Sequence, residues 1–195
     1  VLSSYNTPGA AYGIAVVGPN VYVADGLPGA ALRLFEASDP AHPILRASLE
    51  LNGNPRHVAI GGDFAYVAAG YSGGLQIINI ANPLSPVLRG VRDTPGAASQ
   101  VRLVGDRAYV ADGERGVQII NVANPSAPTT LGSYDTYGAA TSVSVIGTQA
   151  YISTGLPNGG LEIANIANPA AAGRIGIFNG SSGANDLALV GSTAY

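Results

Sequence analysis

Residues 113–140 read GERGVQIINVANPSAPTTLGSYDTYGAA. The phrase returns as GGLQIINIANPLSPVLRGVRDTPGAA at 73–98 and as GGLEIANIANPAAAGRIGIFNG at 159–180. In each copy an apolar burst runs into Asn-Pro, then a second burst, then a glycine-containing exit. Asn-Pro is a turn device, because the residue before proline is pushed extended and proline cannot donate to a sheet ladder. The bursts therefore read as short strands between turns, and none sustains the 3.6-residue apolar period of a helix. No helix is needed.

Two anchors fix the period. Tyr22, Tyr66, Tyr109, Tyr151 and Tyr195, in VYVADG, AYVAAG, AYVADG, AYISTG and TAY, recur at intervals of 44, 43, 42 and 44 residues. Asp39-Pro40, Asn82-Pro83, Asn124-Pro125 and Asn168-Pro169 follow in phase. The third copy holds four bursts, QVRLVG (100–105), AYVAD (108–112), VQIINV (117–122) and TTLGSYDT (129–136). Four strands in about 40–45 residues is the size of a propeller blade. A β-helix coil is shorter, and an immunoglobulin-like sandwich needs about 100 residues.

The expected fold is all-β: a β-propeller of four-stranded blades spanning roughly 12–55, 56–98, 99–140 and 141–184, with a partial blade from 185–195 plus 1–11. Residues 1–11 match a last strand and its exit loop, and 185–195 match only two first strands. About four and a half blades are thus expected, as an arc of a larger propeller or one capped by another copy. Bare apolar sheet faces of more than a few hundred Å² are rare. Blades are covered on both sides, so the inner strands GIAVVG, VAIGG, VRLVG, VSVIG and LALVG are expected to be buried on both faces. Their small residues Ala15, Ala59, Ser144 and Ala188 belong near the axis.

Composition closes several routes. Hydrophobic residues make up 47% and charged residues 11% of the 195 residues. No apolar run approaches the roughly 18 residues of a membrane span. Without cysteine, disulfides, thiolate metal sites and a Cys nucleophile are excluded. The net charge is −3 and the nine arginines form no basic stripe, which argues against nucleic acid as a partner.

AYVADGERGVQIINVANPSAP…YDTYGAA resembles the LVIVD-repeat family of bacterial and archaeal β-propellers, whose pattern is roughly A-Y-V-A-D-G, G-L-x-I-x-D-V-S-x-P and T-P-G-x-A. The resemblance runs through the whole chain. It implies a secreted or cell-surface location, with the periplasm as an alternative, and no particular activity. The family's Asp after its LVIV strand is Glu36, Asn79, Asn121 and Asn165 here, so a turn-bonding role is expected to survive and a charge-dependent one is not.

Candidate chemistry gathers on one propeller face. The pairs leading into the innermost strands differ from repeat to repeat: Tyr12-Gly13, Arg56-His57, Ser99-Gln100, Thr141-Ser142 and Asn185-Asp186. Asp25, Asp112, Glu114 and Arg115 occupy the neighbouring loop. The expected ligand face is therefore Arg56, His57, Gln100, Ser142, Asp186 and Asp112, with the Asn-Pro turns and His42 on the opposite face. Arg56 beside His57 is expected to disfavour the imidazolium and suit an anion. HExxH, DxDxDG and G-x-S-x-G are absent, so no metal, cofactor or nucleophilic elbow is expected. Closely spaced paired carboxylates are also absent. NGS at 179–181 fits a glycosylation sequon. Without Trp, sugar stacking would fall to Tyr5, Tyr71 and Tyr137. The expectation is a noncatalytic scaffold that binds a protein or further copies of itself. A self-assembling envelope component and an enzyme with its site in the central funnel are the alternatives.

Overall fold

The computed structural model describes residues 2–156, 159–180, 183–190 and 193–194. The Tyr195 anchor and Ser181 of the sequon lie outside these residues. Four antiparallel meanders follow one another. The first is β1 (Ala11–Val17), β2 (Asn20–Asp25), β3 (Ala31–Glu36) and β4 (Ile44–Glu50). The second is β5 (His57–Gly61), β6 (Phe64–Ala68), β7 (Leu75–Asn79) and β8 (Val87–Arg92). The third is β9 (Gln100–Val104), β10 (Arg107–Ala111), β11 (Val117–Asn121) and β12 (Thr129–Tyr134). The fourth is β13 (Ala140–Ile146), β14 (Gln149–Thr154), β15 (Gly160–Asn165) and β16 (Gly173–Asn179). A further hairpin pairs β17 (Leu189–Val190) with β18 (Thr193–Ala194). Among the described residues two short helical turns interrupt the strands, α1 (Gly70–Gly73) and a 3-10 turn at Pro169–Ala171. Both sit in loops, so the helix-free expectation needs correcting only there.

The first two strands of each sheet are joined by a tight turn with a left-handed glycine, as at Gly105 with φ 54°. The sheets stack side by side through their faces. Strand alternation sends Tyr66 and Ala68 forward against Val101, Ala108 and Val110, while Ala65 and Val67 point back against Tyr22, Leu32 and Leu34. The third-to-fourth interface repeats the pattern with Tyr109, Ile119 and Tyr134 against Val143, Ala150 and Ile152. The innermost strands β1, β5, β9 and β13 lie next to one another in order, a propeller-like arrangement. The sheets form an open arc.

Burial departs from expectation in one respect. The second and third strands, not the innermost, are buried on both faces, as the continuous burial of β2, β3, β6, β7, β10 and β11 shows. Ile14, Val16, Val104 and Ile146 of the innermost strands stay 42–66% exposed. They face the axis or the open flank of an end sheet, where no neighbouring sheet covers them.

Each Asx-Pro begins a turn in which its side chain accepts a backbone N–H two residues on. Asn82 accepts from Leu84 at 3.1 Å, Asn124 from Ser126 at 3.1 Å, Asn168 from Ala170 at 3.2 Å and Asp39 from Ala41 at 2.9 Å. Glu36, Asn79, Asn121 and Asn165 do the same for Ser38, Ala81, Ala123 and Ala167. The bond needs an acceptor oxygen and no charge, which is why asparagine serves.

A polar clasp joins the exit loop of one repeat to the next. Thr94 Oγ1 donates to Asp112 at 2.6 Å and Gly96 N–H donates to its other oxygen at 2.9 Å. Thr7 and Gly9 hold Asp25 in the same way, at 2.8 and 3.3 Å. At the junction between these two the equivalent residues are Leu51 and Ala69, both buried, so one apolar pair replaces one polar pair. Asp112→Ala alone strands the Thr94 hydroxyl and the Gly96 N–H in a buried site and is expected to cost about 1–3 kcal/mol. Adding Thr94→Leu recreates the Leu51/Ala69 solution and is expected to recover most of that loss in urea unfolding.

Candidate functional site

The innermost strands carry their lead residues to the axis. His57 opens β5 and Gln100 opens β9, and each reaches the neighbouring sheet. Val101 N–H donates to His57 Nδ1 over a long 3.5 Å, and Val143 N–H donates to Gln100 Oε1 at 2.6 Å. Gln100 Nε2 in turn donates to Asp186 Oδ1 at 3.4 Å. The first sheet offers Gly13 at this position, where an added Cβ would come within 2.7 Å of His57 Cα. Only glycine lets β1 lie that close to β5.

His57, Gln100 and Asp186 line an axial cleft of about 390 Å³ together with Ala59, Arg102 and Ser144. With Nδ1 accepting, the neutral His57 ring carries its proton on Nε2. Burial holds its pKa below the ordinary 6.5; Asp186 pulls it upward and Arg102 pushes it further down. The repelling guanidinium is thus Arg102's, not that of Arg56. Arg102 escaped sequence reading, yet the signal was present. It is the one long charged side chain in a column otherwise made of Ala15, Ala59, Ser144 and Ala188.

The other expected residues lie elsewhere. Ser142 is buried, and its hydroxyl shares a 2.9 Å bond with Ser153 Oγ. It bonds within its own sheet and does not line the cleft. Asp112 is fully buried in the clasp, where burial raises its pKa against the pull of Thr94 and Gly96. Arg56 is exposed on the rim, its guanidinium 5.7 Å from the centre of the Tyr12 ring. There it lines a groove of about 450 Å³ with Leu27, Asn54, Gly70 and Tyr71. Tyr71 is 74%, Leu27 61% and Tyr12 56% exposed. Of the other two candidate stacking rings, Tyr5 packs edge-on against Phe35 and Tyr137 is covered by Arg174 at 3.7 Å.

The Asn-Pro turns occupy the opposite ends of the strands. His57 pairs with Ala68, and Ala68 with Leu75, whereas Asn79 pairs with Phe64 at the far end. His42 lies in one of these turns, Nδ1 2.7 Å from Asp39 Oδ2. Among the described residues no group of three or more side chains could hold a metal ion, and no helix is long and apolar enough to cross a membrane.

Repeated four-stranded sheets around an axial cleft define an all-β repeat protein of propeller-like architecture. The LVIVD repeat pattern matches at residues 8–50, 52–94, 95–136 and 137–179, and the chain belongs to the LVIVD-repeat family. No curated protein matches. Solved structures agree in fold. A protein from Lactobacillus plantarum superposes with TM-score 0.74 at 16% identity, covering 87% of this chain and 55% of its own. A "putative 6-phosphogluconolactonase" from Bacteroides uniformis gives TM-score 0.77 at 12% identity, covering 91% and 60%. The computationally designed protein Ika8 gives 0.73 at 11% identity, covering 93% and 53%. The chain therefore spans between 53% and 60% of the length of these structures.

The charges around His57 set its titration. Because its folded pKa is depressed, the unfolded chain binds more protons as pH falls below the ordinary 6.5. Stability is full above that value and is lost as pH falls towards the folded pKa; His57→Gln is expected to flatten this slope. In NMR titrations Asp186→Asn should lower the His57 midpoint further, and Arg102→Ala should raise it.

Proposed function

We propose that this chain is the binding part of a noncatalytic β-propeller scaffold, secreted or displayed at the cell surface, that holds a protein partner on the rim of its axial face. The observation that supports this reading is the exposed cluster of Tyr12, Leu27, Arg56 and Tyr71 beside the rim groove. Tyrosine and arginine bring large contact area and directed polar groups, and they dominate binding hot spots. The groove wall is held in place, since Asn54 Oδ1 accepts the Leu27 N–H at 3.0 Å. The cell-surface location rests on the family resemblance.

Further blades complete the ring in this reading, covering the open face of the first sheet around Ile14 and Val16 and that of the fourth around Ile146 and Phe178. Supplied by other copies, they would give the self-assembling alternative; filaments in sedimentation and microscopy would favour it.

Tyr71→Ala is expected to weaken capture of the partner about 30-fold, the scale of a hot-spot truncation, with the circular dichroism spectrum unchanged. Equal capture by the variant would move the interface away from the rim. Assays on lactones, esters and glycosides are expected to show no turnover above that of His57→Ala. Turnover that depends on His57 and Asp186 would establish an enzyme instead.

A further inference from the structure

We propose that the axial cleft binds a small hydroxycarboxylate: a carboxylate monoanion carrying adjacent hydroxyl groups. The argument starts from the repeat. A side chain that serves the repeating turn recurs in equivalent form in every copy, as Asp39, Asn82, Asn124 and Asn168 do. Arg102 stands where the other copies have alanine or serine, and His57, Gln100 and Asp186 share one position yet all differ. The repeating framework does not require them, but the axis brings them into one cleft of about 390 Å³.

Their unused groups specify the ligand. Arg102 is exposed and has no ion-pair partner among the described residues. Its planar fork matches a carboxylate with two parallel N–H···O bonds. His57 uses Nδ1 on Val101, which leaves the neutral Nε2–H as a donor. Asp186 Oδ1 already accepts from Leu187 N–H at 2.8 Å and from Gln100, while Oδ2 takes no bond among the described residues. Arg102 and Asp186 are exposed, and among the described residues no buried side-chain polar atom lacks a partner, so these unused groups reach solvent. The inventory is one cation, one neutral donor and one anionic acceptor.

A carboxylate satisfies Arg102, and a neighbouring hydroxyl can accept from His57 and donate to Asp186. The Asp186 charge repels a dianion such as sulfate, and a plain polyol leaves Arg102 without its counter-charge. Specificity then follows from the combination of groups and from no single one.

The chain has two histidines, one at the axis and one in a turn at the other end of the sheets, so the ring NMR signals carry their own control. Four probes are titrated into the full chain: glycerate, acetate, glycerol and sulfate. Glycerate is expected to shift the His57 signals saturably and leave those of His42 in place, and the other three are expected to bind at least about tenfold more weakly. Arg102→Ala and Asp186→Asn should each raise the apparent Kd for glycerate roughly tenfold, while Tyr71→Ala on the rim should not change it. The proposal is overturned by absence of a saturable His57 shift, by sulfate or glycerol binding as tightly as glycerate, or by unchanged affinity in both charge variants. Because the rim is a separate surface, either outcome leaves the partner-binding reading to its own test.

Discussion

The structure depends on each sheet being apolar on both faces. Val67 and Tyr66 are adjacent in the chain and point to opposite neighbours, so one five-residue strand contributes to two interfaces. Burying a large apolar side chain contributes about 1.5–3 kcal/mol, and here that gain links one repeat to the next along the chain. A single sheet of this kind would leave one or both faces in water. Stability is therefore a property of neighbours, as in other repeat architectures.

Polar residues inside this stack are held by bonds, some of which cross between repeats. The second or third residue of each third strand, Arg33, Gln76, Gln118 or Glu162, is buried. Gln76 donates to Asn52 O at 2.8 Å, and Glu162 accepts from Tyr137 N–H at 2.7 Å and from Tyr134 at 2.8 Å. Both latch onto the exit loop of the repeat before. Arg33 instead forms a buried pair with Asp25 at 2.6 Å within its own sheet. Tyr134 shows the environment: burial first, then the Glu162 bond, pushes its pKa up to about 12. A buried polar atom without a partner is costly, so the position accepts different side chains only where each finds one.

The same geometry frees the axis. Val58, Val101 and Val143 of the innermost strands join the second and third strands in the inter-sheet core, so the lead residues His57 and Gln100 can vary without loss of core. Gly13 and His57 mark the two extremes: one is required by close backbone approach, and the other reaches across to the next strand and still presents a ring nitrogen. A ring of unlike side chains on a repeating frame is how this architecture acquires an individual surface.

The sequence alone determined the period, the four strands per repeat and the Asx-Pro turns, because these rest on local physics: strand alternation, the missing N–H of proline and the reach of an asparagine side chain. It also placed His57, Gln100 and Asp186 at one end of the strands. Only the tertiary structure decided which side chains meet. Asp112 and Ser142 share that end with His57, but their bonds to Thr94 and Ser153 draw them into the protein. Arg102 lies within VRLVG, a strand expected to be buried on both faces, yet it lines the cleft because β9 turns that residue to the axis. Whether a polar side chain closes a junction or faces the cleft depends on which partner the strand pairing and sheet stacking bring to it, Thr94 for Asp112 and Ser153 for Ser142, and no local pattern records that.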